Sequence, residues 1–185
     1  NTTNVKNLKL LWTYEVFDKK QNHRNGIQCN PIVIDDRIYI IGPDFNVHSI
    51  DSKSGNLIWK YNPFPEKKIS GTTRGVTYYG DGLNGRIFFV AESILYCLDA
   101  LTGKLINSFG DGGKTTLNKG FDRNTKDLFI SATTPGIIFN NLLILGSRVL
   151  DTANQKTIPG DIRAFNVLTG DIVWTFNTIP RLGET

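Results

Sequence analysis

The sequence predicts an all-β fold of repeated four-stranded blades, a β-propeller, and three observations predict it. The string D-S-K-S-G-N-L-I-W at 51–59 recurs as D-A-L-T-G-K-L-I-N at 99–107 and as N-V-L-T-G-D-I-V-W at 166–174. The turn glycines of these copies, Gly55, Gly103 and Gly170, lie roughly 50 and then roughly 70 residues apart, the length of one propeller blade and of one blade with an insertion. No stretch of about ten residues keeps a 3.6-residue apolar period, whereas short apolar runs bounded by Gly, Asp and Asn abound, so almost no helix is expected.

Each element follows in order. The opening run 8–16, with Trp12 and Tyr14, reads as the last strand of a preceding blade, which takes 1–20. The first blade spans 27–62, with strands at 31–34 and 37–41 split by Asp35-Asp36 and then the hairpin of the first repeat. The second spans 72–110, with strands at 75–79 and 86–90 split by Gly80-Asp81-Gly82, and 111–131 is an inserted loop. The third spans 132–178, with strands at 136–139 and 142–145 split by Asn140-Asn141, then Ile162, Ala164 and Phe165 before its turn and Ile172, Val173, Trp174 and Phe176 after it. In each turn, Gly after Ser or Thr supplies the positive φ of a reversal, and Asp or Asn at its start accepts backbone N–H bonds. A blade buries its faces only against neighbours, and closed propellers have at least about four blades. Three blades and a strand are therefore read as part of a larger closed propeller, whose broken faces would be apolar patches.

Composition narrows the function classes. With 185 residues, 39% of them hydrophobic and 11% aromatic, the chain carries enough apolar material for a packed core. The longest apolar runs have strand length, far below the roughly 20 residues of a membrane helix. The Asn-rich start lacks the apolar core of a signal peptide, so either the mature protein starts here or upstream sequence has been lost. The net charge of +4 comes from scattered Lys and Arg with no dense basic tract, and a nucleic-acid partner is not expected. Cys29 and Cys97 sit in apolar strands and read as two buried free thiols, and His48 has no partner at ligand spacing.

Longer strings carry a family resemblance: I-Q-C-N-P-I-V-I-D-D-R-I-Y at 27–39, R-G-V-T-Y-Y at 74–79, T-T-P-G-I-I at 133–138, L-G-S-R-V at 145–149 and P-G-D-I-R-A-F-N-V-L-T-G-D-I-V-W at 159–174. The turn-and-tryptophan repeat resembles the tryptophan-docking motif of eight-bladed quinoprotein propellers. The strings together resemble the N-terminal third of pyrroloquinoline-quinone-dependent dehydrogenases, the glucose-dehydrogenase-like branch in particular. The adjacent-cysteine pair of the methanol and ethanol branch is absent.

That resemblance implies three blades of an eight-bladed propeller that oxidises a sugar or alcohol hydroxyl by hydride transfer to pyrroloquinoline quinone (PQQ), aided by Ca²⁺. It implies a respiratory quinone or cytochrome as electron acceptor and a periplasmic location, with membrane association through regions outside this chain. PQQ carries three carboxylates and an ortho-quinone, so its site needs fixed cations, hydrogen-bond donors and a divalent ion. By motif, the resemblance assigns Gln28, Arg74, Thr133, Ser147 and Arg148 to the cofactor, with Gln28 standing where many members have Glu, and Asp151 to the metal. Arg74 suits a cofactor carboxylate because its guanidinium is a rigid two-pronged donor. Each also has a plainer reading: Arg74 as a surface cation, Gln28 and Thr133 as strand-edge residues, Asp151 as a loop acid. No catalytic residue is assigned here, because the family's general base and remaining metal ligands come from later blades. The chain alone is expected to be inactive. The alternative is a non-catalytic propeller scaffold of the cell envelope that shares the repeat and binds proteins.

Overall fold

The computed structural model describes residues 2–17, 26–121, 124–125, 128–150, 157–181 and 183. Three four-stranded antiparallel sheets follow one another along the chain. The first pairs β1 (Ile32–Ile34), β2 (Arg37–Ile41), β3 (Val47–Asp51) and β4 (Leu57–Tyr61) in that order. The second pairs β5 (Thr77–Asp81), β6 (Asn84–Ala91), β7 (Ile94–Asp99) and β8 (Lys114–Thr116). After the two-residue strand β9 (Ile130–Ser131) come β10 (Ile137–Phe139) and β11 (Leu142–Leu145), then β12 (Arg148–Val149), which pairs with β9. With β13 (Ile162–Asn166) and β14 (Ile172–Phe176), β10 and β11 make the third sheet. One 3₁₀ turn, Val5–Asn7, is the sole helical element among the described residues.

The repeated string forms the turn between the third and fourth strands of a sheet. Asp51 Oδ1 accepts bonds from the Lys53 and Ser54 amides, Asp99 Oδ1 from the Thr102 amide, and Asn166 Oδ1 from the Leu168 and Thr169 amides. The register slips by one residue at Ser49/Ile50 and at Ala164/Phe165, so the first and third copies share even their irregularity. The second copy departs. After its turn only Leu105 bridges back, to Leu98, and the fourth strand of that sheet is β8, from within the stretch read as an inserted loop. The chain bends away because it carries Asn107 where the other copies have Trp, then the glycines Gly110, Gly112 and Gly113, all at positive φ.

Docking between consecutive units explains the conserved shape of the turns. A Cβ at Gly55 would lie 2.6 Å from Trp12 Cδ2, and one at Gly103 would lie 2.5 Å from Trp59 Cδ2, so each indole lies flat on the turn of the following sheet. Trp12 Nε1 donates to the Ser52 carbonyl (3.2 Å) and Trp59 Nε1 to the Ala100 carbonyl (3.1 Å). At the third turn Phe109 takes the place of tryptophan, 3.2 Å from where a Gly170 Cβ would be. A phenyl ring has no N–H, and the neighbouring amide of Gly110 donates to Thr169 instead (2.8 Å). The 8–16 run forms no ladder among the described residues, and it lays Trp12 on the first sheet's turn by side-chain contact.

Strand alternation then builds two cores from one central sheet. Ile87, Phe89 and Ala91 of β6 face the first sheet with Tyr39, Ile41 and Val47, while Phe88 and Val90 face the third with Leu143, Leu145 and Phe165. Both faces of β6 are thus covered, and it reads as a continuous apolar run. Cys29 and Cys97 are buried free thiols, and burial pushes Cys97 up to about 12. The third sheet leaves Ile137, Phe139, Val173 and Phe176 exposed, and Trp174 is 38% exposed. Among the described residues no helix is long and apolar enough to cross a membrane.

The packing of the opening run on the first sheet carries a pH dependence. His48 on β3 is buried, its Nδ1 2.7 Å from the Tyr14 hydroxyl. Burial first, and then the Lys60 ammonium, hold its pKa down at about 4, against Asp44, which raises it. The unfolded chain binds this proton below about 6.5 and the folded chain only near 4, so stability should fall as pH drops from 6.5 towards 4, by up to about 3 kcal/mol. Urea midpoints of the native protein and of His48→Gln, measured from pH 7 to 4.5, should converge as acid is added. Parallel curves would contradict the assignment.

Candidate functional site

Strand direction sorts the loops into two groups. Because neighbouring strands are antiparallel, the segments that enter each first strand lie at one end of the sheets, with the loops after each second strand and before each third. The docking turns lie at the opposite end. All five residues assigned to the cofactor, Gln28, Arg74, Thr133, Ser147 and Arg148, fall in the first group.

Three of the entering segments are laced together by main-chain bonds. The Asn30 amide donates to the Arg74 carbonyl (3.2 Å), and the Arg74 amide donates to the Thr133 carbonyl (2.8 Å). Arg74 therefore sits between the entries to the first and third sheets, with Gln28 two residues upstream of Asn30. Thr77 Oγ1 reinforces the lacing by donating to the Pro135 carbonyl (2.7 Å). The glycine of R-G-V-T is required here: Gly75 has φ +148°, and a Cβ would come 3.3 Å from the Asn30 oxygen and 3.6 Å from the Pro135 ring. Gln28 and Arg74 are exposed, and Thr133 is half-buried.

Ser147 and Arg148 reach the same end by another route. Arg148 pairs with Ser131 in the β9–β12 ladder, two residues before Thr133, and its guanidinium lies 5.5 Å from the Phe129 ring centre. The Ser147 hydroxyl is turned inward: it donates to the Asp161 carbonyl (3.1 Å) and lies 3.4 Å from an Arg163 nitrogen. Asp151 lies outside the described residues. Among the described residues no group of three or more His, Cys, Asp or Glu side chains converges as a metal cluster.

The residue that sequence reasoning missed is Arg163. It is 1% exposed, and its Nη1 donates to the carbonyls of Leu117 (2.7 Å) and Lys119 (2.9 Å). Its guanidinium lies 4.8 Å from the Phe121 ring centre and 5.5 Å from that of Phe165. Burial lowers its pKa to about 10 although nearby Asp161 raises it. Asp161 is itself buried, with Arg181 at 2.9 Å. Chemically, this end of the sheets presents two exposed guanidinium forks, an amide and a hydroxyl on a backbone tied across all three sheets, an arrangement suited to an anion with several carboxylates.

Comparison with known proteins agrees with this reading of the fold. A family model described as "PQQ: Glucose/ethanol/alcohol dehydrogenase, beta-propeller domain" matches residues 1–185. The quinoprotein glucose dehydrogenase of Escherichia coli is 29% identical over 96% of this chain and 24% of its own length. The quinate/shikimate dehydrogenase (quinone) of Acinetobacter baylyi is 27% identical over 98% of this chain and 25% of its own length. The crystal structure of the quinohemoprotein alcohol dehydrogenase from Comamonas testosteroni superposes with a TM-score of 0.70 at 25% identity, over 97% of this chain and 24% of that one. The chain thus spans about a quarter of the length of the relatives it matches.

Proposed function

Because the chain belongs to the glucose/ethanol/alcohol dehydrogenase β-propeller family, we propose that it forms part of the cofactor-holding end of a PQQ-dependent dehydrogenase acting on a sugar or alcohol hydroxyl. The observation that carries this is the main-chain lacing of Asn30, Arg74 and Thr133, which sets residues from three sheets side by side at one end. The donor set fits the group: Arg74 and Arg148 would face carboxylates, and Thr133 and Gln28 would donate to oxygens without adding charge. Ser147 belongs with them as the residue that anchors the Arg148 loop from beneath. Asp151 would be this chain's contribution to a Ca²⁺ site. When bound, PQQ supplies the two-electron acceptor for the oxidation.

The chain's own residues would bind and orient, and no proton-transfer role falls to any of them. The general base and further metal ligands would come from other blades, seated on the exposed face of the third sheet that includes Trp174. Without them these 185 residues would not turn over. Electrons would leave to a respiratory quinone or a cytochrome, and the protein would work in the periplasm.

The test is reconstitution of the whole protein with PQQ and Ca²⁺, followed by dye-linked oxidation of glucose, quinate and a primary alcohol in parallel. At least one should be oxidised, and the purified holoprotein should show a quinone absorbance. A protein that acquires no such absorbance would be a propeller scaffold and not a dehydrogenase.

A further inference from the structure

Arg163 is placed unlike any other cation among the described residues. Its guanidinium is fully buried, its neighbouring carboxylate Asp161 is engaged by Arg181, and its hydrogen-bond partners are two carbonyls and a hydroxyl. Burying a cation without a dedicated counter-ion gains little stability, and an apolar chain of similar length would fill the same space between Phe121 and Phe165 at smaller desolvation cost. What only a guanidinium supplies is a rigid fork that joins several acceptors at once.

Those acceptors belong to two separate segments at the same end of the sheets, one of them the Ser147–Arg148 loop of the candidate site. Leu117 and Lys119 open the stretch that follows β8, and Asn118 extends the hold by donating to the Thr125 and Leu128 carbonyls (2.8 and 3.1 Å). Ser147 begins the loop that carries Arg148, which pairs with the strand leading to Thr133. We propose that Arg163 is a positioning residue for the cofactor end: its buried fork locks the 117–121 arm to the Ser147–Arg148 arm, so that Arg148 and Thr133 are held at fixed spacing. This rests on the function proposed above and adds a residue that would not itself touch the cofactor.

The experiment uses the whole protein with Ca²⁺ and titrates PQQ by fluorescence quenching into wild type, Arg163→Met, Arg163→Lys, Ser147→Ala and the Arg163→Met/Ser147→Ala double variant. Loosening a binding constellation by a fraction of an ångström is expected to raise the PQQ Kd about tenfold or more in Arg163→Met, with part of the loss recovered in Arg163→Lys, which keeps the charge but not the fork. Residues acting as one unit are non-additive, so Ser147→Ala should weaken binding severalfold in wild type and by less than about twofold in the Arg163→Met background. In the apoprotein, trypsin should cut after Lys119 faster in Arg163→Met than in wild type. An unchanged Kd, or losses that simply multiply, would overturn the proposal.

Two contingencies keep it decidable. If Arg163→Met does not fold, Arg163→Lys with and without Ser147→Ala gives the same non-additivity test. If wild type binds no PQQ, the proposed function has failed, and the cleavage rate after Lys119 decides the linkage alone: faster in the variant supports it, equal overturns it.

Discussion

Valine at position 103 should destabilise the protein by about 3–5 kcal/mol, combining the strain of a β-branched residue in the left-handed region with overpacking against a ring held by its own hydrogen bond. Gly103 has φ +70°, and a Cβ there would stand 2.5 Å from Trp59 Cδ2 and 2.6 Å from Cε3, far inside van der Waals contact. Trp59 is held at its indole nitrogen by the Ala100 carbonyl and lies 5.8 Å from the Tyr39 ring, so withdrawing it would break that bond and disturb that packing. Gly112→Ala is the control: its φ is +57°, but an added Cβ meets nothing within 4 Å, and it should lose only about 1 kcal/mol. In the Trp59→Ala background the valine should do less harm than in wild type, because the ring it strikes is gone. Chemical denaturation of the four variants checks this, and equal losses for Gly103→Val and Gly112→Ala would show that docking does not constrain the turn. Trp59→Phe should be mild, since Phe109 already performs the same task at the third turn.

Removal of the Arg74 side chain is expected to weaken PQQ binding by the whole protein about 10- to 100-fold, the 1–3 kcal/mol of a charge-assisted hydrogen bond. Folding should barely respond, because Arg74 is exposed and its two structural bonds, from the Asn30 amide and to the Thr133 carbonyl, belong to the main chain and survive the substitution. Arg74→Lys should fall between, keeping the charge without the fork. Titration of PQQ into the three proteins, alongside their melting temperatures, separates the two effects. Equal affinities would remove Arg74 from the site. A drop in melting temperature matching the loss of affinity would make the residue structural.

The legible part of the fold is the part written in short-range pattern. Period-two alternation, a Ser/Thr-Gly turn and an Asp or Asn three or four residues before it specify a hairpin from local chemistry alone, and the first and third units form as that pattern predicts. The fourth strand of the second sheet was not legible: Lys114–Thr116 is three residues long, polar at both ends, and stands after a run of glycines that reads as loop. It pairs with Ile94–Tyr96, and the chain leading into it is placed by Phe109 against Gly170, a contact between residues distant in sequence.

The candidate site divides in the same way. The motif around Arg74 could be read because Gly75 is demanded by the close approach of Asn30 and Pro135, so the string carries its own structural reason. Arg163 could not, since a charged residue in a strand of alternating pattern reads as solvent-facing. Its burial depends on the Leu117 carbonyl, 46 residues earlier, folding over it. Ser147 was legible as a position but not as an orientation, because the Asp161 carbonyl that turns its hydroxyl inward lies across a loop.

The antiparallel order of the strands sends the latching turns to one rim and the entry loops to the other. The indole latches therefore stand apart from the entry segments, which are tied to one another by main-chain bonds of their own. A side chain exchanged on the entry rim, such as that of Arg74, leaves the indole latches untouched.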